Sequence, residues 1–309
     1  MRWSSWRGAA TWRRRRSWRL PRGSPFRRGI RRSREGVDAT RTLAGPASAR
    51  RTTATFPLTK PDSKLHHRVV KTSLILVPGL LCDDVVWAHQ SDTLADLADV
   101  HIATNGARDS LVAMAEAIIA QAPPRFALAG HSMGGRVALE VVRRVPERVI
   151  ALALMDTGHQ PLAAGEPGER EVAGRMALVE KSRRQGMRAM GWEWMQGMVY
   201  PSRLSDAVLV NAILDMIASK TPDLYAAQTR ALINRPEATS LLPRIRCPTL
   251  VLCGQEDLWS PPKRHEEMAA LIPGSTLSVV PYCGHMSTME QPVAVSEALR
   301  GWLAPIAGG

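Results

Sequence analysis

Ser132 lies at the centre of the pattern Gly130-His131-Ser132-Met133-Gly134, with a glycine two positions before it and another two positions after it. A serine hydroxyl is a weak nucleophile, so it needs a base beside it and a backbone that exposes its oxygen. The two glycines leave room for a tight turn from a strand into a helix, and N–H groups at the helix start can stabilise negative charge on a carbonyl oxygen. The pattern predicts Ser132 as the nucleophile of an acyl-transfer reaction.

A carboxylate and an imidazole follow in the second half of the chain. Asp257 comes shortly after one apolar run and His285 shortly after the next. We expect His285 to accept the proton of Ser132, and Asp257 to hold the imidazole in the required tautomer. Two other acids remain alternatives: Glu256 is adjacent to Asp257, and Asp156 ends an earlier apolar run.

His131 is adjacent to the predicted nucleophile, and we expect its side chain to point away from Ser132. The histidines outside the predicted site lack the spacing of three or four residues that would place two metal ligands on one helix face. The sequence therefore predicts neither a metal site nor a cofactor.

The oxyanion of the reaction needs two N–H donors. The N–H of Met133 is one candidate because it follows the nucleophile, and the N–H of Leu80, in the loop after the first apolar run, is the other. Trp87 is predicted either to line the acyl pocket or to belong to the core. Trp192 and Met195, from a segment rich in Met and Trp, are the other pocket candidates.

Short apolar runs alternate with helical patterns from residue 73 onward. This alternation predicts a mostly parallel sheet flanked by helices, an α/β fold. The six predicted strands span residues 73–77, 100–103, 125–130, 149–155, 248–253 and 276–280.

Residues 159–240 interrupt the alternation. The segment is helical in character and contains no run typical of a strand. A helical insertion between two strands of a parallel sheet is expected to form a lid over their carboxyl ends, where ligands bind in open α/β folds.

The net charge of +13 is unevenly distributed. Residues 1–68 contain 19 Lys and Arg but three acidic residues, a net of +16, whereas residues 69–309 contain 22 basic and 25 acidic residues, a net of −3. We interpret 1–68 as a basic extension that is disordered, or that precedes the true start of the protein, with organelle targeting or a nucleic-acid or membrane-surface arm as alternatives. Residues 69–309 form the predicted folded domain, for which no nucleic-acid partner is expected.

Composition excludes several other classes of protein. No stretch approaches the roughly 18–20 apolar residues that span a bilayer. Four cysteines in 309 residues, none in a C-x-x-C pair, do not form a disulfide framework. We expect a cytoplasmic protein.

Four segments together resemble the α/β-hydrolase superfamily, specifically small bacterial esterase- and lactonase-like hydrolases: LVPGLLCDDVVW, GHSMGG, CPTLVLCGQEDLWSPP and CGHMSTMEQP. The chain order Ser132, Asp257, His285 is the order of that superfamily. The resemblance covers roughly residues 70–305 and implies an eight-stranded sheet, of which six strands are identified here. The usual His-Gly before the oxyanion residue is replaced by Pro78-Gly79.

The resemblance implies a serine hydrolase that cleaves a small to medium carboxylic ester, thioester or lactone through an acyl-enzyme. The Met and Trp content of the insertion favours an apolar acyl or alkyl group. Carbon–carbon bond hydrolysis, perhydrolysis and acyl transfer remain alternatives that use the same three residues. A ligand receptor or scaffold built on a hydrolase body is the non-enzymatic alternative.

Overall fold

The computed structural model describes residues 71–307. The predicted basic extension 1–68, with its arginine runs and tryptophans, lies outside the described residues.

Within residues 71–307, six parallel strands form one sheet in the order β2-β1-β3-β4-β5-β6. All six predicted strands are confirmed, with ends that differ from the prediction by at most two residues. The strands are β1 Thr72–Val77, β2 Ala98–Ile102, β3 Phe126–His131, β4 Val149–Met155, β5 Thr249–Gly254 and β6 Thr276–Val280.

The central strands are covered on both faces. Every residue of β3 and of β5 is buried, although neighbouring side chains of a strand point to opposite faces of the sheet. The continuous apolar sequence of these strands is the pattern expected of a parallel sheet between two layers of helices. Strands β2 and β6 lie at the edges, and most of their residues are partly or fully exposed.

The α-helices follow the strands in the alternation that the sequence predicts. Ser110 caps α2 by accepting a hydrogen bond from the N–H of Ala113, which satisfies one free donor of the first turn. In chain order the α-helices are α1 Ala88–Leu94, α2 Leu111–Gln121, α3 Met133–Arg144, α4 Glu166–Gln185, α5 Met187–Met195, α6 Ala207–Ala218, α7 Pro222–Ile233, α8 Pro262–Leu271, α9 Ser287–Glu290 and α10 Pro292–Leu303.

Helices α4 to α7 lie between β4 and β5, so the predicted insertion is helical. Two short 3-10 helices, Pro201–Ser205 and Thr239–Arg244, complete it. No α-helix in the described range is long and apolar enough to cross a membrane.

The start of α3 lies directly against the end of β1. A Cβ atom placed on Gly134 would lie 2.1 Å from the carbonyl oxygen of Val77, which is far inside van der Waals contact. Gly134 therefore allows the approach of α3 to β1 that places the residue before the helix, Ser132, at the edge of the sheet.

We predict that Gly134→Ala destabilises the protein, because the added methyl group forces α3 and β1 apart. Overpacking of this kind typically costs about 1–3 kcal/mol, so the melting temperature should fall by several degrees. Thermal unfolding followed by circular dichroism measures the effect. Gly301→Ala is the matched control, because its Cβ would meet no atom within 4 Å in α10, and alanine favours a helix over glycine. Equal melting temperatures for the two variants would contradict the role of Gly134.

Candidate active site

Ser132 occupies a strained turn between β3 and α3. Its backbone has φ 55° and ψ −117°, a combination that L-residues rarely adopt. The end of β4 holds this turn: the N–H of Ser132 donates to the carbonyl oxygen of Met155 at 2.8 Å, and the hydroxyl of Thr157 donates to the carbonyl oxygen of Ser132 at 2.7 Å. Strain of this kind persists only where surrounding contacts enforce it, and it aims the hydroxyl out of the sheet edge.

The structure brings the three predicted catalytic side chains together. The hydroxyl of Ser132 donates to Nε2 of His285 at 2.7 Å, and Nδ1–H of His285 donates to Oδ2 of Asp257 at 2.8 Å. The other carboxylate oxygen of Asp257 accepts the N–H groups of Trp259 and Ser260, each at 2.8 Å. These bonds fix the carboxylate, and through it the orientation and tautomer of the imidazole.

Charge and burial shift the pKa values of both partners. Burial alone would lower the pKa of His285, but the Asp257 carboxylate raises it above its usual value. Burial alone would raise the pKa of Asp257, yet the charge and hydrogen bond of His285, with the two N–H donors, hold it below its ordinary value. The imidazole is therefore a stronger base than a free histidine.

Glu290 supports the His285 loop, and sequence reasoning did not identify it. Its fully buried carboxylate accepts the N–H groups of Gly284 at 3.1 Å and Met286 at 3.0 Å, on either side of His285. The N–H of Tyr200 is a third donor, at 2.8 Å. The only sequence signal was an acid five residues after the histidine, a position with no distinctive pattern.

Asp156, the alternative acid, does not hydrogen-bond the imidazole of His285. Its Oδ1 accepts the N–H of Gly254 at 3.0 Å, and its Oδ2 accepts the hydroxyl of Ser287. Complete burial and the nearby charge of Asp257 raise its pKa well above the usual value. Asp156 thus connects the end of β4 to the end of β5 and to Ser287 at the start of α9.

Glu256 and His131 have structural contacts. The Glu256 carboxylate accepts the N–H of Cys283 at 2.7 Å and so joins the loop after β5 to the loop after β6. Nε2–H of His131 donates to the carbonyl oxygen of His285 at 2.8 Å, so its ring lies away from the Ser132 hydroxyl, as expected. Burial lowers the pKa of His131 to about 4, which keeps this ring neutral.

The N–H groups of Leu80 and Met133 are available to a substrate oxygen. Both residues line the cavity beside Ser132, and neither N–H donates to an acceptor within residues 71–307. Pro78-Gly79 therefore does not prevent Leu80 from reaching the position that the sequence predicts.

Gln228 of α7 holds the loop that carries Leu80. Its Oε1 accepts the N–H of Leu81 at 2.9 Å, where the backbone has φ 62°, and its Nε2 donates to the carbonyl oxygen of Gly106 at 2.8 Å. Gln228 is distant in sequence from every motif, so only the fold identifies it.

A cavity of about 730 Å³ opens beside Ser132, His285 and Met133. Its apolar lining comes from both the insertion and the body: Leu80, Leu178, Trp194, Tyr225, Leu232 and Trp259. No group of three His, Cys, Asp or Glu side chains in the described part of the chain is arranged to hold a metal ion.

The pocket candidates Trp87, Trp192 and Met195 are not among the residues that line this cavity. Trp87 is fully buried with its ring edge against His131, the core alternative. Trp192 is 48% exposed, and Met195 is completely buried. Helix α5 presents Trp194 to the cavity instead. Trp192 and Met195 lie on other sides of the same helix.

Comparisons with known proteins place the sequence in a family. A sequence model described as the alpha/beta hydrolase family matches residues 75–298. A 2-succinyl-6-hydroxy-2,4-cyclohexadiene-1-carboxylate synthase of Serratia proteamaculans (strain 568) is 27% identical over 182 residues, which cover 58% of this chain and 68% of the relative. A pimeloyl-[acyl-carrier protein] methyl ester esterase of Nitrosomonas europaea is 25% identical over 239 residues, covering 73% and 94%.

Among solved structures, a thermophilic esterase from Thermogutta terrifontis superposes with a TM-score of 0.67 and 30% identity. The match covers 76% of this chain and 90% of that protein. The family match spans most of the chain, and the parallel sheet, the strained serine turn and the order of the site residues agree with it. The chain belongs to the alpha/beta hydrolase family.

Proposed function

We propose that the protein is a serine hydrolase that cleaves a carboxylic ester, thioester or lactone through an acyl-enzyme on Ser132. The observation that carries this proposal is the continuous chain of hydrogen bonds from Ser132 through His285 to Asp257. The names of the Thermogutta esterase and the Nitrosomonas methyl ester esterase support ester chemistry.

Acylation begins when the Ser132 oxygen attacks the substrate carbonyl and His285 accepts the serine proton. Asp257 stabilises the resulting imidazolium. The oxygen of the tetrahedral intermediate accepts hydrogen bonds from the N–H groups of Leu80 and Met133. As the intermediate collapses, the C–O or C–S bond to the leaving group breaks and His285 returns the proton to the leaving group.

Deacylation repeats these steps with water. His285 takes a proton from water, the hydroxide oxygen attacks the acyl carbon, and a second tetrahedral intermediate forms. Its collapse releases the carboxylic acid and restores the Ser132 hydroxyl with the proton from His285.

We further propose that the insertion acts as the lid predicted from the sequence. Helices α4, α5 and α7 contribute Leu178, Trp194 and Tyr225 to the cavity walls. Closing the cavity with these side chains excludes bulk water and strengthens the electrostatic interactions at the reacting carbonyl.

Other reactions of the same three residues remain the alternative, namely carbon–carbon bond hydrolysis, perhydrolysis or acyl transfer. The Serratia relative is named as a synthase rather than an esterase, which favours keeping this alternative. Product analysis of an ester and lactone panel, with and without an added alcohol or peroxide, separates these reactions.

We predict that Ser132→Ala abolishes labelling by a fluorophosphonate probe and lowers kcat on neutral p-nitrophenyl esters by about four to six orders of magnitude. The loss follows because no other group replaces the nucleophile. Gel fluorescence and release of p-nitrophenol measure the two effects. Ser202→Ala, an exposed serine in a short 3-10 helix, is the control and should label normally. Undiminished labelling of Ser132→Ala would refute the proposal.

We predict that Asp257→Asn lowers kcat by about 10⁴-fold, because the imidazole loses both its stabilising charge and its tautomer. Asp156→Asn should cost less than about tenfold, since Asp156 does not hydrogen-bond the imidazole of His285. Steady-state hydrolysis of a neutral ester by the two variants gives the comparison. Similar losses in both would contradict the assignment of Asp257 as the acid.

The pH dependence follows from the raised pKa of His285. Acylation requires the neutral imidazole, so kcat/KM should be constant at high pH and fall about tenfold per pH unit below the pKa. Because this pKa is raised, the acid limb should lie above the value of about 6.5 for an unperturbed histidine. Initial rates between pH 5 and pH 9, roughly the range that brackets this titration, test the prediction. A limb below that value would contradict it.

A further inference from the structure

The cavity beside Ser132 is rich in arginine. Its lining includes five arginines and three acidic residues, Asp156, Glu171 and Glu193. The arginines come from α3, from the insertion and from α8: Arg136, Arg170, Arg175, Arg235 and Arg264. This charge was not expected from the insertion's Met and Trp content, which favours an apolar substrate group.

Three of these arginines already have carboxylate partners. Arg235 binds Glu171 through two hydrogen bonds of 2.7 and 2.8 Å, and Arg175 binds the same carboxylate at 2.9 Å. Arg170 pairs with Glu166. Glu193 is itself paired with Lys181.

Arg136 and Arg264 are different, because they contact main-chain oxygens. Arg136 donates to the carbonyl oxygen of Gln160 at 2.9 Å, and Arg264 donates to that of Trp259 at 3.1 Å. Within residues 71–307 neither guanidinium has a carboxylate at 4.0 Å or less. Both retain N–H donors that a ligand can use.

The two free guanidiniums converge over Gly158. A Cβ atom on this glycine would lie 3.0 Å from Nη2 of Arg136, and 2.7 and 3.4 Å from Cδ and Nε of Arg264. The missing side chain therefore leaves room for both groups near one point, which is the arrangement that binds a single anion.

Electrostatics agree with the geometry. Burial, together with the charges of Arg235 and Arg264, lowers the pKa of Arg136 to about 9, and the charge of Glu171 opposes this shift only in part. The Arg136 guanidinium remains charged at neutral pH. Burial and the neighbouring arginines destabilise this charge, and a bound anion would stabilise it.

Glu171 shows which anion suits these groups. Although burial alone would raise its pKa, Arg235 and Arg175 lower it to about 2. A carboxylate is thus already held between two arginines in this wall, with the paired geometry that guanidinium and carboxylate favour.

The free pair lies within reach of the nucleophile. Arg136 is four residues after Ser132, one turn of α3 and about 6 Å along the helix axis. The side chain of Arg136 increases this distance. A substrate whose anion binds Arg136 therefore needs a chain of several bonds between that anion and the carbonyl carbon at Ser132.

We propose that Arg136 and Arg264 bind a carboxylate of the substrate, so that the enzyme prefers esters whose acyl chain ends in a negative charge. The inference rests on the proposed hydrolase function and specifies its substrate class. The apolar wall with Trp194 and Trp259 contacts the intervening chain, and the arginines select its charged end.

The test compares two esters of equal size on the full chain: monomethyl adipate, which carries a carboxylate, and methyl adipamate, in which an amide replaces it. Methanol release gives kcat/KM. We expect the wild type to prefer the acid by about 10- to 100-fold, the usual value of charge-assisted hydrogen bonds. The preference should decrease as ionic strength rises.

Arg136→Gln and Arg264→Gln should each lower the preference for the acid over the amide about tenfold, mainly by raising KM for monomethyl adipate. Arg136→Lys should retain part of the preference because it keeps the charge. Arg184→Gln, which removes an exposed arginine paired with Glu180 on the outside of α4, is the charge-matched control and should change nothing. Circular dichroism spectra and melting temperatures that match those of the wild type show that the variants fold.

Adipate provides a readout that does not require its ester to be hydrolysed. It should inhibit turnover of neutral p-nitrophenyl butyrate competitively, with an inhibition constant raised at least tenfold in each glutamine variant. Equal rates on acid and amide, together with inhibition that the variants do not change, would overturn the carboxylate subsite and leave the hydrolase function intact. No turnover of any ester and no probe labelling of Ser132 would overturn the hydrolase function itself.

Discussion

The left-handed turn at Ser132 is the constraint on which the rest of the site depends. A single residue must leave β3, reverse direction and begin α3, while the helix lies close enough to β1 that residue 134 has no space for a side chain. Hydrogen bonds from the end of β4 hold this turn. These contacts fix the serine oxygen relative to β1, β3 and β4. Since parallel strands end at the same edge of the sheet, the loops after β5 and β6 bring Asp257 and His285 to that oxygen.

The cavity combines two kinds of recognition in one space. Aromatic and aliphatic side chains cover one part, and guanidinium groups cover another. Five arginines near one carbonyl site repel each other unless carboxylates separate them, and Glu171 provides this separation for two of them. Arg136 and Arg264 have no carboxylate partner among the described residues, so a neutral ligand matches their charge poorly. Selectivity then arises from rejecting uncharged molecules as well as from binding charged ones.

The strands, the serine turn and the residues Asp257 and His285 were predictable from the sequence because each depends on a local pattern whose position in a parallel sheet is determined by chain order. Pocket residues were not predictable in the same way. Trp192 and Trp194 are two positions apart on α5, yet one is exposed and the other lines the cavity, since the rotation of the helix against its neighbours decides which is which. Gln228 acts through contacts with residues far from it in sequence, for which one sequence contains no periodic or motif signal. Glu290 lies close to His285 in sequence but belongs to no recognisable motif.

Gln228 connects the insertion to the loop that carries Leu80. It belongs to the insertion, but its side chain holds the backbone of Leu81, next to the proposed oxyanion donor. The carbonyl of Met198, also in the insertion, accepts the N–H of His285 at 2.6 Å. The insertion is therefore not an exchangeable module: a replacement segment that changes the pocket must also supply these two supports, which restricts the sequences that can be grafted onto this sheet without loss of rate.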